Sequence, residues 1–391
     1  MPHLPTVPVP FLESNRSRRW LAGLPLLVLA MPGWAESWPH PRLNDTGLQH
    51  CEVRGVWQAS CSETGQDAAH GRDARPRRSD PADGLAGFAW RKVCGNGQFA
   101  GHGRCPADPA PGTSAHDWAC VKDVRTGLLW ERKTRDGGLR DGAQRFTRVG
   151  DGRTGDAAAL VAAANQEQWC GAQDWRLPTR AELQSMAVYA RYQPDAALDP
   201  VYFGDVEGAS TWASDNYGSP GWGWTVDFRS GAVVIGSQTD TRAVRLVRGG
   251  RVPPAGDRYQ AQGDAVLDRH TGLLWQRCAL GQAWTGTVCT GTATTLGWRD
   301  ALAQALGTAG STGLPWRLPN AKELASLIDP REETPATDPG AFPNPGTRHF
   351  WTSTAAVGQP DRAWGVDFDY GHVASYAMTQ LHGVRLVRTA P

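Results

Sequence analysis

The sequence predicts an α+β protein with two tandem modules, each made of two helices and a small antiparallel sheet. An irregular disulfide-containing region precedes them. Two observations support this fold class: a series of phrases that occurs twice in the same order, and eight cysteines at similar spacings. The clearest phrase is "DWRLPTRAEL" at Asp174, which returns as "PWRLPNAKEL" at Pro315. The two phrases begin 141 residues apart. This separation is far longer than the 20 to 50 residues of a solenoid repeat, so a whole module is duplicated.

The N-terminus predicts export. Residues 16–19 carry three arginines, an apolar run of eleven residues follows, and Gly33 and Ala35 occupy the small-residue positions of a cleavage site. The apolar run is too short to span a bilayer, so residues 1–35 are predicted to be a signal peptide. The mature chain should then lie in the periplasm or at the cell surface, with no transmembrane segment.

The cysteines predict disulfide bonds. Short spacings favour three local bridges, Cys51–Cys61, Cys94–Cys105 and Cys278–Cys289, which leaves Cys120 and Cys170 for the fourth. Zinc is the competing interpretation, but no CxxC motif and no histidine pair at ligand spacing occurs. The net charge of +1 gives no electrostatic reason to predict nucleic-acid binding.

The predicted boundaries are an irregular N-terminal region at 36–118, module 1 at 119–249, a Pro/Gly-rich linker at 250–263, and module 2 at 264–391. Each module begins with a "TGLLW" strand and an apolar helical stretch. The repeated phrase follows, with Thr179 or Asn320 as N-cap and Glu182 or Glu323 three residues later, which predicts a capping box.

The second half of each module predicts β structure. "WTVDFRSGAV" and "WGVDFDYGHV" alternate on either side of a glycine-containing connection, as in a hairpin. The closing "VRLVR" alternates as well, and this last strand is predicted to pair with the first. Eight tryptophans recur at matched positions and are predicted to be core residues: Trp130, Trp275, Trp175, Trp316, Trp212, Trp351, Trp224 and Trp364.

This ordered series of motifs resembles the C-terminal domain of the Legionella collagen-like adhesin, the Lcl-C family, in two tandem copies. The resemblance implies a C-type-lectin-like fold, distantly similar to formylglycine-generating enzymes. It also implies an adhesin-like role, because the adhesin that gives the family its name binds sulfated polysaccharides.

Oxidase chemistry is not expected. A formylglycine-generating oxidase holds copper with two cysteines near its C-terminal strands, since soft thiolates stabilise Cu(I). Here no cysteine follows Cys289, and none lies between Cys170 and Cys278. Matched Asp227 and Asp367 could each be one ligand of a calcium site, but they are expected rather to bind Arg245 and Arg385 or a loop amide. Matched Arg176 and Arg317 are expected to be held by Asp or Glu in the fold.

The candidate ligand-binding residues lie in the loops before the hairpins. Trp222 has no tryptophan counterpart and stands in a glycine-rich loop beside Asp215, Asn216 and Tyr217, where an indole could stack on a sugar face. In module 2 the candidates are Gln359, Asp361 and Arg362. The triplet "QPD" at Gln359 is similar to the galactose-type calcium motif of lectins, but module 1 has "SPG" there.

The sequence therefore predicts an exported binding protein that is not an enzyme and that recognises carbohydrate or another surface polymer. No cofactor is expected, with calcium left open. The alternative is a structural or assembly component of the cell envelope that binds protein partners, and an oxidase comes third. The ligand and the oligomeric state are not predicted.

Overall fold

The computed structural model describes residues 43–74, 84–204, 210–249, 258–329, 332 and 334–390. The predicted signal peptide, residues 1–35, lies outside the described residues, as do residues 250–257 of the predicted linker. Among the residues that the structure describes, no helix combines the length and the apolar character that a membrane span requires.

Among the described residues, nine strands precede the predicted linker. They are β1 (Cys51–Val53), β2 (Val56–Gln58), β3 (Trp90–Cys94), β4 (Trp118–Asp123), β5 (Leu129–Glu131), β6 (Ser210–Asn216), β7 (Trp222–Asp227), β8 (Ala232–Ser237) and β9 (Val247–Arg248). The three helices of this part of the described chain are α1 (Ala157–Gln166), α2 (Arg180–Met186) and α3 (Pro200–Phe203).

The linker itself contributes a strand, because residues 259–262 form β10. The strands from there on are β10 (Tyr259–Gln262), β11 (Ala265–Asp268), β12 (Leu273–Gln276), β13 (Ala283–Trp284), β14 (Cys289–Thr290), β15 (Thr295–Leu296), β16 (His349–Ala355), β17 (Arg362–Asp367), β18 (His372–Ala377), β19 (His382–Gly383) and β20 (Val387–Thr389). The helices are α4 (Trp298–Thr312) and α5 (Ala321–Ala325).

The hairpins of both modules join into one sheet of eight strands, in the order β15-β19-β16-β17-β18-β8-β7-β6. The junction is antiparallel, with Val373 of β18 opposite Val233 of β8. Each module also contributes to a four-stranded sheet: β3-β4-β5-β9, in which β3 comes from the N-terminal region, and β10-β11-β12-β20, in which β10 comes from the linker. The last strand of each module pairs with its "TGLLW" strand, as predicted.

The predicted fold class is wrong. The chain is mostly β, with 30% of residues in strands against 15% in helices, and it does not form two lectin-like modules of two helices and a small sheet. The capping boxes do start helices, but Ala187 turns extended after the seven residues of α2, and α5 is five residues long. The edge strands β8 and β18 also pair with each other, so that the two hairpins form one large sheet.

The capping boxes themselves are confirmed. Thr179 accepts from the Glu182 amide and Glu182 accepts from the Thr179 amide, at 3.2 and 2.8 Å. Asn320 and Glu323 repeat this exchange at 2.9 and 2.7 Å. As predicted, the matched arginines are held by these glutamates, Arg176 by Glu182 and Arg317 by Glu323.

The two helix starts also join the modules. Arg180, at the start of α2, stacks over Trp224 at 4.4 Å and donates from Nη1 to the Gly371 carbonyl of module 2 at 3.4 Å. Lys322 of α5 donates to the Ser185 carbonyl of module 1 at 2.8 Å and to the Asp45 carbonyl of the N-terminal region at 2.6 Å. The main hydrophobic core correspondingly draws residues from all three parts.

All eight cysteines form disulfides. The bridges are Cys51–Cys61, Cys94–Cys105, Cys120–Cys170 and Cys278–Cys289, the pairs that the spacings favour. No free thiol remains.

Candidate functional site

A cleft of about 860 Å³ lies on module 1 beside the loop between β6 and β7. One wall is that loop, with Asn216, Tyr217 and Trp222, and the other is the start of α1. The cleft lies within the volume range of small-molecule sites, about 300 to 1,000 Å³. Its remaining lining includes Arg148, Val149, Gly150, Asp156, Arg176, Leu177 and Gln238.

Hydrogen bonds from Arg148 fix the position of the loop. Its Nη2 donates to the Asn216 side chain at 2.8 Å and to the Ser214 carbonyl. Gln238 donates to the Trp222 carbonyl at 3.2 Å, and Gly221 adopts a φ of 79°, which favours glycine. Tyr217 packs edge-on against Trp224 with ring centroids 5.5 Å apart. The indole of Trp222, in contrast, remains 43% exposed at the rim.

Asp215 does not line the cleft. Its carboxylate accepts from the backbone amide of Arg180 at 2.5 Å, which is the first residue of α2. The equivalent residue of module 2, Thr354, accepts from the amide of Ala321 at 2.9 Å. The matched contact indicates that Asp215 is a structural cap of the helix.

Two of the module 2 candidates, Gln359 and Arg362, form hydrogen bonds with the same residue, Ser375. Gln359 accepts from the Ser375 hydroxyl at 2.7 Å, and Arg362 donates to the same hydroxyl at 3.1 Å and to the Ser375 carbonyl. Asp361 has a φ of 55°, and its backbone carbonyl accepts from Met378 at 2.8 Å. These contacts hold the side chains of Gln359 and Arg362 within the module, whereas Asp361 is exposed.

The two loops lie at opposite ends of the sheet. Trp222 pairs with Ser237 of β8, which is four residues beyond Val233 at the junction. Arg362 pairs with Ala377 of β18, which is four residues beyond Val373 at the junction. Because β8 and β18 run antiparallel, the loops are separated by roughly 26 Å along the strands. The structure does not bring the module 1 and module 2 candidates together.

The matched carboxylates bind arginines other than the matched ones. Asp227 binds Arg229 at 2.6 Å and Asp367 binds Arg348 at 2.8 Å. The expected loop amides are present as well, from Arg229 and Asp369. Arg245 and Arg385 instead donate to backbone carbonyls, among them those of Glu131 and Gln276.

The surface of module 2 that corresponds to the cleft is covered by the N-terminal region. Helices α1 and α4 can be aligned by their N-cap residues, Asp156 and Gly297. In this alignment the cleft residues Ala158 and Val161 correspond to Arg299 and Leu302. In module 2 that surface is in contact with polypeptide, as three contacts show: Arg299 pairs with Glu52 at 2.9 Å, Trp57 packs on the module 2 core, and a Cβ at Gly65 would lie 3.5 Å from the Leu302 carbonyl.

Sequence comparison within the chain missed Arg148 and Gln238. Arg148 lies in the stretch between "TGLLW" and α1, where the two copies have no shared motif. Gln238 corresponds to the buried Met378, and this polar-for-apolar difference was an available signal.

The model of the Lcl C-terminal domain family matches residues 119–248 and 264–388. No curated protein matches the chain.

Proposed function

Because this chain belongs to the Lcl C-terminal domain family in two tandem copies, we propose that it is an exported, non-enzymatic binding protein whose module 1 cleft takes carbohydrate. The observation that supports the cleft as the site is the exposed indole of Trp222 on its rim. A flat, partly exposed aromatic ring flanked by polar groups suits the apolar face and the hydroxyls of a sugar. Asn216, Gln238 and Tyr217 supply such polar groups.

Two further observations support a binding role. The cleft carboxylate, Asp156, accepts four hydrogen bonds, from Thr147, Val149, Gly150 and Ala158, so one oxygen caps α1 and the other holds the loop before it. With all eight cysteines in disulfides, copper chemistry of the oxidase kind has no thiolates to use. Carbohydrate binding through stacking and hydrogen bonds needs no cofactor, and we propose none for the cleft.

Export rests on the disulfides and the N-terminal sequence. Four bridges are typical of chains that fold in an oxidising compartment such as the periplasm or the cell exterior.

The test is a panel of neutral and acidic polysaccharides, with binding measured as a change in melting temperature and on a glycan array. Trp222→Ala is expected to weaken binding about fivefold or more, because stacking of a flat ligand on an aromatic side chain contributes about 1–3 kcal/mol in the case of nucleic-acid bases. Phe99→Ala is the matched control, since Phe99 is also an exposed aromatic, at 38%, and lies outside the cleft. Equal binding by both variants would remove the cleft from consideration.

A second candidate ligand is a polypeptide segment. It is favoured by one observation: the corresponding surface of module 2 already holds the chain's own N-terminal region through Glu52 and Trp57. Capture of envelope protein that depends on Trp222, with no glycan response, would establish this candidate in place of carbohydrate.

A further inference from the structure

Three buried aspartates meet where the N-terminal region contacts module 2. Asp45, Asp67 and Asp73 are 1%, 2% and 1% exposed, and one carboxylate oxygen from each lies within 4.8 Å of the others. Asp67 accepts from the Thr354 hydroxyl of module 2 at 2.7 Å, and Asp45 accepts from the Asn320 side chain at 3.0 Å. This Asp cluster therefore lies at the contact between two parts of the molecule.

One oxygen of the Asp cluster is buried without a hydrogen-bond donor. Asp73 uses Oδ2 for three donors, the Thr46 hydroxyl and the amides of Gly47 and Leu48, at 3.0 to 3.1 Å. Its Oδ1 has no hydrogen-bond partner although it is inaccessible to solvent. Leaving a buried acceptor unsatisfied costs about 1–3 kcal/mol, and more for a charged group, so this oxygen points to a missing ligand.

The hydroxyl between the aspartates cannot satisfy both of its neighbours. Thr46 Oγ1 lies 2.8 Å from Asp67 and 3.0 Å from Asp73, yet it has a single proton to donate. The nearby Lys322 donates to two backbone carbonyls, those of Asp45 and Ser185.

We propose that Asp45, Asp67 and Asp73 bind one calcium ion that fastens the N-terminal region to module 2. Oxygen donors are the ligands that Ca²⁺ takes in proteins, whereas no cysteine or histidine belongs to this cluster. The hydroxyls of Thr46 and Thr354 adjoin the carboxylates and are further oxygen donors within the site. The Asp73 oxygen that lacks a donor then gains a partner, and the carboxylates gain a counter-charge.

The site is distinct from the cleft and from the lectin-like triplet at Gln359. It joins Asp45 to Asp67 and Asp73 of the N-terminal region. An ion here closes residues 45–73 around Asn320 and Thr354. Bound calcium therefore stabilises the attachment of the N-terminal region to module 2.

The experiment compares the full exported chain, purified in EDTA, with and without millimolar CaCl₂. We expect one bound calcium per chain by elemental analysis after dialysis, and a rise in melting temperature of several degrees. Hydrogen exchange should slow in peptides from residues 43–74 and around Thr354. No retained calcium and an unchanged melting temperature would overturn the proposal, as would protection confined to the loops at Asp227, Asp367 or Gln359.

Asp73→Asn and Asp67→Asn are expected to abolish the calcium-dependent shift. The matched control is Asp156→Asn, which also alters a buried carboxylate, 2% exposed, but one whose donors lie in the loop before α1 and in the first turn of α1. This control should melt at a lower temperature and keep the full calcium shift. A shift that persists in both cluster variants contradicts the site, and if neither variant folds, the location of hydrogen-exchange protection in the wild-type chain decides.

Discussion

Trp222 differs from the eight matched tryptophans in its surroundings. The matched ones are at most 8% exposed, which confirms the prediction that they are core residues, whereas Trp222 is 43% exposed. Matched aromatic positions could be assigned from the sequence because burial of a large ring is a property of the module. Arg148 could not be assigned in this way, because it reaches the cleft through the tertiary fold from a stretch that the two copies do not share.

His382 provides a residue-scale prediction of pH dependence. Its ring packs against Trp351 and His349, with centroids 4.3 and 5.1 Å away, and its buried Nε2 has no hydrogen-bond partner. Burial, and then the nearby His349, lower the pKa of His382 to about 4. The unfolded chain, with a histidine pKa near 6.5, binds more protons between these values, so stability falls as the pH drops through this window.

We expect His382→Phe to remove part of that loss, about 1 kcal/mol between pH 7 and pH 5. The measurement is the urea midpoint at both pH values for the wild type and the variant. His50→Phe changes an exposed histidine and should keep the wild-type dependence. An identical loss in His382→Phe and the wild type would contradict the assignment.

At the scale of the element, the repeated phrase encodes a helix start and little about helix length. The N-cap, the glutamate and the preceding arginine are local in sequence, so the capping boxes and their ion pairs could be predicted. The ends of α2 and α5 depend on contacts with the sheet, as at Ala187, which turns extended. Because the motif specifies only where a helix starts, the sequence predicted more helix than the structure contains. The predicted fold class was wrong for this reason.

The two copies of this element differ in burial, which gives a matched prediction. Arg317 and Glu323 are 12% and 1% exposed, whereas Arg176 and Glu182 are 36% and 10% exposed. Glu323→Ala removes the carboxylate from a more buried arginine and should cost about 3–5 kcal/mol. Glu182→Ala loses the cap and a more solvated pair, for about 1–2 kcal/mol.

The order of these two effects is measured by the free energy of unfolding in urea. Glu323→Gln and Glu182→Gln serve as milder companions, because glutamine retains the acceptor of the capping box. If the two alanine variants lose equal free energy of unfolding, the difference in burial does not affect stability.

At the scale of the whole molecule, the modules are parts of one cooperative structure. The main core includes Phe88 of the N-terminal region, Trp224 of module 1 and Trp364 of module 2. We expect a single calorimetric unfolding transition whose van't Hoff and calorimetric enthalpies agree. Two resolved transitions would show that the modules unfold independently. The duplication was evident in the sequence, but the joining of β8 to β18 was not, since the pairing of two edge strands leaves no local motif.

The junction at Val233 and Val373 has one more property, because these two valines are equivalent positions of the two copies. Identical surfaces that meet so that each residue faces its own counterpart are the mark of a two-fold axis. The tandem chain thus holds, as a covalent pair, the arrangement that two separate single-module chains would adopt as a symmetric dimer. Linking the copies in one chain makes their encounter independent of concentration.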